Sequence, residues 1–160
     1  AVQAEIRRPC CEKDKRTRAI PSHTSFPTPM ASNMQAFTTL MIRHVPLKYN
    51  AWDVIQELQN HLRVEDIDLV YVPGVADSTL NMGYAFVNLQ DPVIANWACS
   101  HLMDKPWVNH AGSKVMKVRP SITQGISANL QRFVAKVAHR SGTPLHHAPV
   151  VLDRGTVVPL

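Results

Sequence analysis

The order in which apolar periods change along residues 38–124 predicts an α+β domain with four strands and two helices in the order β-α-β-β-α-β. Three observations carry this. Runs of β-branched and aromatic residues that stop at proline or glycine alternate with apolar stripes at three- and four-residue spacing. Both stripes begin beside side chains suited to cap a helix. The flanks on either side lack these periods or carry a single further one.

Thr38–Val45 (TTLMIRHV), ended by Pro46, reads as the first strand. Asn50 is a helix cap, with Asp53 three residues later as the acid of a capping box, and Val54, Ile55, Leu58 and Leu62 follow as the buried stripe. Ile67–Val72, stopped by Pro73-Gly74, is the second strand, and Met82–Leu89 is the third. Asp91 followed by Pro92 is a strong helix start, with Ile94, Trp97, Ala98 and Leu102 as the inner face. Lys114–Arg119 is the fourth strand. This order is the ferredoxin-like split βαβ arrangement, a four-stranded antiparallel sheet with both helices on one face.

The second face of that sheet is where function is expected, and strand parity says what it displays. In the third strand Ala85, Val87 and Leu89 suit the core, which turns Tyr84, Phe86 and Asn88 to the opposite side. Reversing the parity would bury Asn88 and expose Val87 and Leu89. In the first strand Leu40 and Ile42 point inward, leaving Met41 and Arg43 outward. In the fourth, Lys117 and Arg119 point outward around Met116 and Val118. The second strand is ambiguous, with Tyr71 the candidate for the open face. Rings beside cations suit unpaired nucleobases, which stack on the rings while phosphates meet the charges.

Met82-Gly83-Tyr84-Ala85-Phe86-Val87-Asn88-Leu89 resembles the RNP1 octet of the RNA recognition motif (RRM), and Leu40-Met41-Ile42-Arg43-His44-Val45 resembles its RNP2 hexamer. More narrowly, residues 38–140 are similar to the C-terminal RRM of the Mei-two-like meiotic RNA-binding proteins. The matching stretches are Thr38–Arg43, Pro46 with Lys48-Tyr49, Tyr71-Val72-Pro73, Gly83–Asn88 before Asp91-Pro92, Lys105-Pro106-Trp107, and Gln124-Gly125. The resemblance implies binding of single-stranded RNA, with roles in post-transcriptional control of meiotic or developmental programmes. Departures weaken the grip it implies. Met82 stands where RNP1 usually has Lys or Arg, and Met41 replaces an aromatic. His44 and Leu47 stand where the family tends to have Asn, and the Gly74–Leu80 loop has no Lys or Arg. Two aromatic stacks supply roughly 2–6 kcal/mol, short of the ~8 kcal/mol of micromolar affinity. An RRM-fold module that binds protein rather than RNA is the second reading.

Charge distribution agrees with a neutral body carrying basic flanks. Residues 1–37 hold six Lys/Arg against three Asp/Glu, residues 38–124 seven against eight, and residues 125–160 four against one. Proline-rich residues 1–37 read as a disordered basic arm. Over 125–140, Ile126, Leu130, Phe133, Val134 and Val137 form an amphipathic helix. The plainer expectation packs it beside the domain as an extension of the core. The sharper one lays it over or next to the sheet, limiting access for RNA. Residues 141–160 read as an extended tail.

No nucleophile–base pair, phosphate loop or metal spacing is present, so no catalysis, cofactor or metal is expected. Glu65-Asp66 reads as a solvated turn, and His146-His147 lack Cys partners. Trp52 and Trp107 read as packing residues, and Tyr49 as packing on its neighbouring helix. Cys10, Cys11 and Cys99 suggest reduced thiols in an intracellular protein, nuclear or cytoplasmic. The start at Ala1 suggests a fragment or processed chain, with no secretory signal visible. No apolar run reaches the roughly 18 residues of a membrane span. A monomer is expected.

Overall fold

The structure is a computed structural model and describes residues 36–139 and 145–160. The basic arm expected over 1–37 lies almost wholly outside the described residues, as do positions 140–144.

The elements run β1 (Thr39–Arg43), α1 (Ala51–Leu58), a 3₁₀ turn (Val64–Asp66), β2 (Ile67–Tyr71), β3 (Tyr84–Leu89), α2 (Pro92–His101), β4 (Lys117–Pro120), α3 (Ile126–Ala138), a second 3₁₀ turn (Leu145–His147), β5 (Val150–Asp153) and β6 (Thr156–Val158). The expected β-α-β-β-α-β order is present. The sheet, however, has six strands rather than four, in the order β4-β1-β3-β2-β5-β6, and every pairing is antiparallel.

Both helix starts follow from their caps. Asn50 Oδ1 accepts from the amides of Trp52 and Asp53 at 2.8 and 3.2 Å, and Asp53 Oδ2 accepts from the Asn50 amide at 2.8 Å, closing a capping box. Asp91 Oδ1 accepts from the Ile94 amide at 2.9 Å, with Pro92 at the first helical position, where no amide hydrogen is needed. Between these helices and the sheet lies the main core, which includes Leu40, Ile42, Val54, Leu58, Val70, Ala85, Val87, Leu89, Ala98 and Leu102. Trp107 is buried there, edge-on to Tyr49 at 5.9 Å. Trp52 and Trp97, both expected to pack inward, are about half exposed at 47% and 49%. On α2 the stripe of small residues, Ala95 and Ala98, faces the sheet and turns the indole away.

The expected tail over 141–160 is, from Val150 onward, a hairpin that extends the sheet beyond β2. Leu69 and Val70 pair with Val151 and Val150, and Asp153 pairs with Thr156 across a two-residue connection. Arg154 and Gly155 both adopt positive φ, 48° and 82°, as the type I′ turn that matches strand twist requires. Leu152 enters the main core at 4% exposure, so the segment contributes to folding.

Candidate nucleic-acid interface

Strand parity holds. In register, Met41 faces Phe86, Arg43 faces Tyr84 and Thr39 faces Asn88 across β1 and β3, while Arg119 and Lys117 of β4 lie beside Met41 and Arg43. The ambiguity of β2 has a physical cause. A bulge between Ile67 and Leu69 breaks the alternation, so Ile67 and Val70 both join the helix-side core while Leu69 and Tyr71 face the other way.

That other face is not open. α3 lies over it, against the plainer expectation that the helix would pack beside the domain. Leu69, Tyr71 and Phe86 are buried in a second apolar cluster with Ile126, Leu130 and Phe133 of α3, together with Met41, Tyr84 and Val151. Tyr71 and Phe86 keep only 2% and 3% of their surface. Phe133 meets Tyr71 edge-on at 5.6 Å, and the Arg132 guanidinium lies 5.1 Å from the centre of the Phe86 ring. Tyr71 and Phe86 stack on each other with centroids 6.2 Å apart. The physical reason is area. The apolar stripe of α3 and the apolar sheet face each need cover, and closing one on the other removes both from water.

Asn88 is a correction of a different kind. Its side chain points to the predicted face but is buried as a hub, where Oδ1 accepts from Thr39 Oγ1 at 2.8 Å and Thr38 Oγ1 at 2.9 Å. Its Nδ2 donates to Asp68 Oδ2 at 3.3 Å, and burial raises the Asp68 carboxyl above its ordinary range despite that bond. Thr39 Oγ1 in turn accepts from the Gly125 amide at 2.8 Å. Gln124 finishes the anchor: Oε1 accepts from the Thr38 and Thr39 amides, both at 2.9 Å, and Nε2 donates to the Thr39 carbonyl at 3.0 Å. Asn88 therefore pins the start of α3 instead of awaiting a ligand.

What α3 leaves uncovered is the β4–β1–β3 side. Tyr84 and Met41 are half-buried, and Arg43, Lys117 and Arg119 are exposed. Arg119 Nη2 reaches the Met41 sulfur at 3.4 Å, and the Tyr84 hydroxyl lies 3.6 Å from the Met82 sulfur. Lys117 pairs with Asp104 at the surface, a contact that solvent screens. Five of the eight residues read from the sequence thus form one accessible strip: Met41, Arg43, Tyr84, Lys117 and Arg119. The other three, Tyr71, Phe86 and Asn88, are inside. Among the described residues no group of three or more His, Cys, Asp or Glu side chains could hold a metal, and no helix is long and apolar enough to cross a membrane.

The model of the RNA recognition motif 2 family matches residues 37–134. This chain belongs to that family. The RRM is of the Mei-two-like type, as two curated relatives also indicate. The protein terminal ear1 of Zea mays is 29% identical over 117 residues, covering 64% of this chain and 18% of that protein. The MEI2-like protein 3 of Oryza sativa subsp. japonica is 30% identical over 104 residues, covering 65% and 11%. The chain therefore spans less than a fifth of the length of these relatives. Among solved structures, the Rna15 RRM with bound RNA matches at 16% identity and a TM-score of 0.47, covering 61% of this chain and 96% of that one. A second, the Sxl-lethal protein–RNA complex, matches at 18% identity and 0.45, covering 56% and 49%.

Proposed function

We propose that this RRM binds single-stranded RNA on the strip formed by Tyr84, Met41, Arg43, Arg119 and Lys117, inside the cell and in post-transcriptional control of a meiotic or developmental programme. The observation that supports the reading most is the pairing of a half-exposed ring on β3 with three exposed cations on β1 and β4, on an RRM sheet. One base stacks on Tyr84 against the Met41 thioether, and the flanking phosphates meet Arg43 and Arg119. A single stack of roughly 1–3 kcal/mol makes this strip alone a weak binder. The curated relatives are several times longer than the stretch they share with this chain, which leaves room for further contacts elsewhere, and their names, terminal ear1 and MEI2-like, support the developmental or meiotic setting.

The test is fluorescence anisotropy with a labelled single-stranded RNA pool. Tyr84→Ala combined with Arg43→Ala should weaken binding about tenfold or more, since 1.4 kcal/mol is a factor of ten. Unchanged affinity with the fold intact rejects the strip. Phe86→Ala is not a clean probe, because Phe86 is buried and its loss opens a cavity. A protein-binding role is favoured by one observation, the closure of Tyr71 and Phe86 beneath α3. Partner capture that survives RNase, with no RNA bound by the purified protein, supports that role instead.

A further inference from the structure

The sheet is six strands wide, whereas its helix layer was built for four. α1 lies over β2, and α2 over β1, β3 and β4. β6 lies past the edge of that layer. Val157 stands opposite buried Leu152 in the register and so faces the helix side, yet it is 46% exposed. The neighbouring start of α1 is equally bare. Ala51, Val54, Ile55 and Leu58 take the buried face of that helix, which turns the Trp52 indole outward. Between the indole and the hairpin runs a groove of about 410 Å³, lined among others by Asn50, Trp52, His146, Val150, Val157 and Pro159. That volume suits a few side chains rather than a whole helix.

The chemistry of the groove is selective. No Lys, Arg, Asp or Glu lines it, so it has no cation for a phosphate and no partner for an ionised peptide side chain. Two rings line it, Trp52 and His146, and the His146 ring is braced edge-on at 5.0 Å by buried His147. Asn50 Oδ1 is committed to the amides of Trp52 and Asp53, which fixes the base of the indole. Among the described residues, neither the Trp52 indole N–H nor Asn50 Nδ2 has an acceptor. The free polar groups of these two residues are therefore donors. A fitting occupant brings carbonyl oxygens, compact apolar rings and no charge. A polyproline II segment has all three, because its backbone makes no internal hydrogen bonds and its proline rings pack on aromatic faces. Its conformation is also set before binding, which lowers the ordering cost. We propose that the groove between α1 and the β5–β6 hairpin docks a proline-rich segment of a partner protein, with one proline ring on Trp52 and peptide carbonyls on the indole N–H and Asn50 Nδ2. The groove is on the helix side, across the sheet from the Tyr84 strip, so the inference stands apart from the RNA-binding reading.

The test is two-dimensional ¹⁵N–¹H NMR of the full chain, whose three tryptophans each give an indole N–H signal, during titration with a decaproline peptide. The Trp52 signal should shift saturably while Trp97 and Trp107 stay in place. Trp52→Ala should weaken binding about tenfold or more, followed through the Ala51 and Val157 amides, and Val157→Ser about threefold. If Trp52→Ala does not fold, Val157→Ser and the indole signal decide. A Trp52 signal that decaproline leaves unmoved overturns the proposal, as does unchanged affinity in folded Trp52→Ala. A peptide of alternating Val and Thr that moves Trp52 as strongly also overturns it, and assigns the site to strand addition on β6.

Discussion

Glu57 is fully buried, yet it carries a carboxylate on the inner face of α1. Its oxygens collect three donors: the Tyr49 hydroxyl at 2.8 Å and the Asn109 amide at 2.7 Å on Oε1, and the Val108 amide at 2.9 Å on Oε2. Burial, then the bond to Glu57, pushes the Tyr49 hydroxyl well above its ordinary range, so it stays a donor. The carboxylate thus staples the segment after Trp107 to α1. Glu57→Ala leaves these donors without an acceptor and should cost about 3 kcal/mol or more, whereas Tyr49→Phe removes one bond and should cost about 1 kcal/mol. Denaturant melts of the two variants check the order, and equal losses would contradict it. Sequence reading placed Tyr49 correctly beside the helix but had no signal for Glu57, because an acid within a helical stripe reads as surface until its partners, far along the chain, are known.

At the scale of elements, β5 and β6 show what a turn signal can and cannot say. Val150-Val151-Leu152 and Thr156-Val157-Val158 are runs rich in β-branched residues around Asp153-Arg154-Gly155, which is a hairpin pattern that prolines on either side obscured. Since Leu152 is buried in the main core, Leu152→Ala should destabilise the domain by about 2–4 kcal/mol; a free tail would register nothing. The hairpin is also wedged at its approach. His147 is buried, and a Cβ added at Gly74 would overlap its ring, so Gly74→Ala should cost about 1–3 kcal/mol by forcing the ring or the strand-connecting loop to move. Thermal unfolding of both variants is the measurement. The starts of α1 and α2 were legible, because a cap and its first turn lie within a few residues of each other, whereas the stripe read as far as Leu62 runs past the end of α1 at Leu58 and Trp97 was placed on the wrong face of α2.

For the molecule as a whole, two histidines set an acid limit. Burial pushes the His61 and His147 imidazoles below their ordinary range, with His101 and Lys105 adding to the effect on the first and His146 on the second. Near neutral pH both are uncharged in either state. As pH falls through about 6.5 the unfolded chain takes up protons that the folded chain refuses, so stability drops. The raised Asp68 carboxyl works the opposite way: as pH falls the folded chain takes up this proton before the unfolded chain does, which adds stability toward the acid side. The melting temperature should therefore be lower at about pH 5.5 than at about pH 7.5. His147→Gln should flatten that dependence, and a flat wild-type profile would refute it. The binding strip predicts a shallow salt dependence as well: three cations give a slope of at most about −2 in log K against log salt, at −0.7 per phosphate.

Taken alone, the residues determined the β-α-β-β-α-β order, both caps and the side of the sheet on which Tyr84, Phe86 and Met41 stand, since each depends on pleat or helix period over a few neighbouring positions. They also marked α3 as a helix with an apolar stripe. Which surface that stripe would cover was decided only in three dimensions. Beside the core or over the rings, the stripe buries apolar area equally well as far as periodicity can tell. Only the assembled sheet, with Gln124 and Thr39 fixing where α3 begins, directs Phe133 to Tyr71 and Arg132 to Phe86.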